Sequence, residues 1–187
     1  STTGECFWRG NNKYATGTCL AKGTTSILNL WPQDFKNKVY SLNELQMTKF
    51  FMNEALNFIK NNPGDFVRLY FLKLYYFWWF SPQSGILYHK VYFYIYRYFY
   101  SIFLFFGIIG VAGALRNKDN GEKDRIWLII FIFMAICFSQ SLFYVEGRHR
   151  WLIEPLLIIF SIKGYDIALQ KSILKVKNHI HWATRKG

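Results

Sequence analysis

Two long stretches without a charged residue constrain this chain most. Residues 98–115 form one of 18 residues, and residues 126–145 form one of 20. At 1.5 Å per residue a helix over the first is about 27 Å long, close to the roughly 30 Å hydrocarbon core of a bilayer. A third and weaker stretch, from Trp151 to about Leu169, carries Glu154 and Pro155 near its start and Lys163 and Asp166 near its end. Lys163 can reach the far interface along its aliphatic stem. Ahead of the first stretch, Tyr92, Tyr94, Tyr96, Tyr98 and Tyr100 alternate as in a strand. A half-buried strand needs polar residues between them, whereas Phe93, Ile95, Arg97 and Phe99 stand there, so a helix with an aromatic belt fits better. Gly107, Gly110 and Gly113 would let another helix approach closely. The expectation is an all-α polytopic membrane protein with about three transmembrane helices, at 91–115, 126–145 and 151–169.

The charge pattern supports this and gives an orientation. The 187 residues hold 23 Lys and Arg against 11 Asp and Glu, a net charge of +12, and 21% are aromatic. The basic residues flank apolar segments instead of forming one basic domain with an exposed groove, which argues for lipid surfaces and phosphate and against nucleic acid. RNKDNGEKDR at 116–125 and the tail at 171–187 carry four and five Lys or Arg, against two in EGRHR at 146–150. The positive-inside rule makes 116–125 and 171–187 cytoplasmic, and residues 1–90 and 146–150 extracytoplasmic.

Residues 1 to about 40 are rich in Gly and Asn and predict loops and short strands. Ser41 and Glu44 are spaced for a capping box that opens a helix to about Lys60. Asn62-Pro63 then ends that helix and starts another. Its apolar part, 66–80, is short for a span, is interrupted by Arg68 and Lys73, and ends near Trp78 and Trp79, so it is expected to lie along the membrane interface. Thus 1–90 is read as an extracytoplasmic region with amphipathic helices, 91–170 as the transmembrane part and 171–187 as a basic tail. No charged and then apolar leader opens the chain, and its first residue is Ser, so it is expected to be a piece of something longer. Cys137 reads as a packing residue. Cys6 and Cys19 form a disulfide if their segment faces an oxidising compartment, or are two separate thiols; both readings stay open. No spacing suggests a metal site.

EGRHR spends four ionisable groups on one short connection. Arg148 and Arg150 could converge on a phosphate through their guanidinium forks, with His149 adding a hydrogen bond and Glu146 orienting an Arg or binding a sugar hydroxyl. The plainer reading is a charged helix-end loop meeting lipid headgroups.

The order of segments matters here: the polar FWRGNNKYATG, the helix ALNFIKNNPGDFVRLYFLKLYYFW, an aromatic span, a charged loop, a second span and EGRHRWLIEPLLIIFSIKGYDIAL. It resembles the C-terminal half of GT-C-fold glycosyltransferases that use polyprenyl-phosphate-linked sugars, of the dolichyl-phosphate-mannose protein mannosyltransferase and aminoarabinose transferase type. The most specific pieces are Ala55 to Pro63 and the Arg-x-Arg with IEP at Arg148 to Pro155. The resemblance implies sugar transfer from such a donor on the extracytoplasmic side, with Arg148 and Arg150 neutralising the leaving phosphate. It also implies acidic residues in an early outer loop, which activate the acceptor or bind a divalent metal. Nothing here matches that loop, so the catalytic carboxylate is expected upstream of Ser1. The alternative is a non-catalytic membrane module that binds lipid headgroups or a partner membrane protein. A transporter is weaker, because no span holds a mid-membrane charge pair.

Overall fold

The computed structural model describes residues 3–22, 25–83, 86, 88–116 and 120–184. The described residues are all-α, with no strand beyond an isolated bridge between Leu20 and Ser26. The chain forms two compact units. One comprises Ser1–Tyr94 and Met134–Trp151, the other Ile95–Phe133 and Leu152–Gly187.

In the first unit the polar N-terminal segment is helical where loops and short strands were expected. Helix α1, Thr3–Gly10, has Glu5 and Arg9 one turn apart and ion-paired at 2.6 Å, and it buries Trp8. Trp8 lies against Trp31, Phe35 and Phe51, with ring centroids 4.7–5.9 Å away. That aromatic core fixes α1 against α2, Gln33–Tyr40, and α3, Glu44–Asn61. Gly4 is required at the α1–α3 crossing, because a Cβ there would stand 2.1 Å from the Thr48 carbonyl oxygen. The capping box of α3 lies two residues further along than the expected one. Asn43 is the N-cap and accepts from the Gln46 N–H, while the Gln46 side chain accepts from the Asn43 N–H. Ser41 instead closes α2, its hydroxyl donating to the Lys38 carbonyl. The chain needs Ser41 and Leu42 to leave α2, so the cap moves on. Asn62 ends α3 and begins α4, Pro63–Trp78, with Pro63 in the first turn as its missing N–H allows.

Helix α5, Lys90–Leu115, is long and apolar enough to cross a membrane, and it is the one such helix among the described residues. Residues 120–125, expected in a loop, instead open helix α6, Asn120–Ser141. A 3-10 helix, Gly147–Leu152, leads into α7, Glu154–Thr184, so the tail stays helical well beyond residue 169.

In the second unit α5 and α7 touch backbone to backbone. A Cβ on Gly110 would stand 1.9 Å from the Phe160 carbonyl oxygen, and one on Gly164 would stand 1.9 Å from that of Phe106. Gly107 and Gly113 lie against the side chains of Leu157 and Ile167. The Ser161 hydroxyl donates to the Phe103 carbonyl, and the Tyr96 phenol donates to the Glu154 carboxylate. Close approach through small residues plus hydrogen bonds is how helices associate where lipid gives no hydrophobic drive.

Gly110→Leu should therefore force the two helices apart. The expected loss is at least the roughly 1–3 kcal/mol of an overpacked contact. Gly64→Ala, where an added Cβ meets nothing within 4 Å, should be neutral or stabilise by up to about 1 kcal/mol. Thermal unfolding in detergent micelles checks both, and equal melting temperatures for Gly110→Leu and the parent chain would refute the packing argument.

Candidate functional site

The segment that precedes EGRHR is clamped from several directions. Helix α1 ends at Gly10, where a Cβ would stand 2.5 Å from the Phe143 carbonyl. The Asn11 side-chain amide donates to the Phe7 carbonyl at 2.8 Å and to the Leu142 carbonyl at 2.7 Å. Asn12 turns back on α1, donating to Trp8. From α4, the Lys73 ammonium reaches Asn11 Oδ1 at 3.0 Å and the carbonyls of Gly10 and Leu142 at 3.2 and 3.4 Å. Lys73 is 0% exposed, and its burial pushes its pKa down to about 7. A few residues on, Gly17 sits at φ +86°, a conformation glycine takes freely, and its carbonyl accepts the Val145 N–H at 2.9 Å. So the FWRGNNKYATG stretch is the seat on which EGRHR is mounted.

The turn itself separates its basic groups. A 3-10 helix has three residues per turn, so side chains two apart point well away from each other. The expected convergence of Arg148 and Arg150 on one group is corrected accordingly. The Arg148 side chain is 58% exposed, and its Nε donates to Glu146 Oε2 at 2.7 Å. Glu146, and after it the Tyr144 phenol, raise the Arg148 pKa above its ordinary value. Arg150 is 1% exposed, with its guanidinium carbon 4.4 Å from the Phe80 ring centre, and Phe80 in turn meets Phe93 edge-on. His149 takes a third direction. Its Nδ1 accepts the Glu146 N–H at 3.2 Å, and its ring lies 5.9 Å from that of Tyr144. Burial lowers the pKa of His149, opposed by Glu146 and reinforced by Arg148, so the ring is neutral near pH 7.

Two clefts flank the turn. One of about 300 Å³ is lined by Thr3, Cys6, Gln140, Phe143, Tyr144 and His149. The other, about 90 Å³, runs past Thr18, Cys19, Ser81, Gln83, Tyr88 and Glu146. Cys6 and Cys19 are not joined to each other, so the disulfide weighed above is not formed. Cys19 lines a cleft with Glu146 instead. Burial and a hydrogen bond with that carboxylate push the Cys19 pKa up to about 12, which keeps it a protonated and poorly nucleophilic thiol. Among the described residues no group of three or more His, Cys, Asp or Glu could hold a metal ion.

Tyr144, Lys73, Asn11 and Gln83 belong to this site and were not singled out as part of it from the sequence. Only the position of Lys73, inside an otherwise apolar helix stretch, carried a signal. No family model, curated protein or solved structure matches the chain.

Lys73→Met keeps the length of the side chain and removes the donor. Leu142 keeps its bond from Asn11, but the Gly10 carbonyl and Asn11 Oδ1 lose their lysine, at roughly 1–3 kcal/mol for each buried acceptor left unmet. Lysine in the unfolded chain titrates at its ordinary 10.5, and in the fold at about 7. Between those values the unfolded state binds more protons, so stability should rise with pH from about 7 to about 10. Unfolding in micelles across that range should show the rise in the parent chain and its absence in Lys73→Met. A variant that is as stable as the parent, with the same pH slope, would contradict the clamp.

Proposed function

We propose that the chain is the C-terminal portion of an integral-membrane glycosyltransferase, one that takes its sugar from a polyprenyl-phosphate-linked donor on the extracytoplasmic side. The observation that carries this is Arg148: exposed, yet braced through Nε by Glu146. A guanidinium has five N–H donors, so one braced in this way still has donors for an outside phosphate. Being held in advance, it costs little reorganisation as charge grows on the leaving phosphate. Arg150, buried over Phe80, acts as a positioning residue that seats the turn, and His149 lines the neighbouring cleft. The resemblance in the order of segments supplies the reaction class.

In this reading α5 is joined by spans within α6 and α7, so that the protein crosses the bilayer three times over 91–169. Helix α4 lies along the interface. Its exposed stripe, Val67, Phe71 and Tyr75, is apolar, while Lys73 is buried between Leu69 and Phe77, and an apolar outer face suits the interface better than water. Membrane-impermeant thiol labelling of single cysteines should reach 146–150 from outside and miss 116–125. Labelling of both loops from the same side would refute three spans.

Arg148→Lys keeps the charge and loses the fork. Sugar transfer from the lipid donor by the full-length enzyme, in membranes with matched expression, should fall about ten- to a hundredfold, the worth of one charge-assisted contact realised in the transition state. Lys175→Gln, in the tail, should change little. Arg150→Lys should lower thermal stability more than it alters transfer per folded enzyme. If Arg148→Lys matches the tail variant, EGRHR is an ordinary helix-end loop.

A further inference from the structure

Helix α7 is longer than a bilayer requires. Its 31 residues, Glu154–Thr184, run about 46 Å, against roughly 30 Å for a hydrocarbon core. One side of it is taken by α5, through the Ser161 hydroxyl on the Phe103 carbonyl and Gly164 against Phe106. That contact stops where α5 does, since Gly113, in the last turn of α5, already lies against Ile167. Past Leu169 the helix continues with no neighbour among the described residues, and Gln170, Lys171, Ser172, Ile173, Leu174 and Lys177 are all exposed. A helix of roughly 12–15 residues standing alone in water is marginal.

The outward side of α7 carries a heptad pattern. Ile159, Ile162, Asp166, Leu169 and Ile173 are exposed and follow one another at steps of 3, 4, 3 and 4 residues. Val176 and Ile180 continue the spacing in the sequence. From Ile159 to Ile180 the pattern covers 21 residues, which is three heptads, the signature of a coiled-coil seam. Inside a bilayer such a stripe is content against lipid. Beyond Leu169 the same stripe stands in water, so its outer part gains by burial against another helix.

The charges select the occupant. An acidic partner would call for basic residues along both edges of the seam. The edge positions past Leu169 are Gln170, Ser172 and Lys177, and Lys171 falls on the far side of the helix. A lipid surface meets only the first turn of a helix that leaves it end-on. In a parallel pair of α7 helices, Tyr165 of one copy meets Gln170 of the other and Ser172 meets Lys177, so these edges oppose no like charges. Two copies in one membrane insert the same way up. Their α7 helices are then parallel and level, and confinement to a plane raises their effective concentration. Asp166 meets its own copy, which costs stability and fixes the register, and Lys163, three residues earlier, offsets part of that charge. We propose that this stripe of α7 is a self-association seam, along which two copies of the chain pair in parallel and in register. The inference uses the placement of α7 as a span made above and is independent of the transfer reaction.

Single cysteines placed in the full-length protein test this in native membranes, with copper phenanthroline as oxidant and the parent protein as the baseline for Cys6, Cys19 and Cys137. An in-register pair brings each seam residue to its own copy, within reach of a disulfide. Leu169→Cys and Ile173→Cys should therefore give a covalent dimer. Lys171→Cys and Leu174→Cys should stay at the baseline, although Leu174 is also apolar and exposed. Adding Ile173→Lys to Leu169→Cys should lower the dimer yield about tenfold or more, the order of losing one buried Ile layer. Adding Lys171→Gln should leave it unchanged. Equal yields at all four positions would mean random collision. No dimer at any position would leave the stripe to lipid or to another segment of the protein, and a product of a mass other than the dimer would point to a different partner. Each of these three outcomes overturns the seam. Sugar transfer in the same membranes separates the two readings. A failed seam with Arg148→Lys still impaired leaves the enzyme standing, and seam cross-links with transfer indifferent to Arg148→Lys leave the seam standing without it.

Discussion

Lys73 is the contact on which the first unit depends. One ammonium on α4 satisfies acceptors from Gly10 and Asn11, at the end of α1, and from Leu142, just past α6. These segments are some 60 to 130 residues apart in the chain, and no apolar side chain could specify their meeting so narrowly. A buried ammonium is unfavourable until all its protons find acceptors, so it allows one arrangement and penalises near misses. Every other contact around the turn follows from that arrangement: Gly10 against Phe143, Asn11 on Leu142 and Gly17 on Val145.

From this seat the geometry of EGRHR is nearly forced. The Val145 N–H is fixed on the Gly17 carbonyl, and a 3-10 helix starts two residues on, at Gly147. The threefold rotation of that helix sends Arg148 outward, His149 toward Tyr144 and Arg150 down onto Phe80. The cluster of charges therefore divides its labour. One cation is left for the surroundings, one is spent on seating the turn, and one ring is kept neutral by burial.

The helical class, the α3–α4 junction at Asn62-Pro63, the long apolar helix near 91–115 and the glycine contacts were legible in the sequence, because each rests on local spacing or on an uninterrupted apolar run. What was not legible depends on tertiary choice. Ser41 and Asn43 are both good caps, and only the place where α2 ends decides between them. Thr3–Gly10 has the composition of a loop and becomes a helix because Trp8 finds an aromatic core made by Trp31, Phe35 and Phe51. The two arginines of EGRHR looked equivalent until the 3-10 helix gave them opposite environments. Gln83 carried no signal at all, since an exposed turn and a buried acceptor read the same in one dimension.

The burial pattern of α4 links the clamp to the surroundings the protein is built for. A helix that buries its lysine and exposes Val67, Phe71 and Tyr75 would be poorly placed with that face in water. Turning it over would bury the aromatics but pull Lys73 off Gly10, Asn11 and Leu142, and would unseat the turn that follows Leu142. The lysine therefore dictates which face of α4 is outward, and the apolar outward face is tolerable where that face meets lipid. On the proposed placement, the polar contact that positions Arg148 and the apolar stripe that rests in the interface are two consequences of one helix orientation. Arg148 would then be held at the depth where a lipid phosphate lies, and the donor would reach it without leaving the membrane surface.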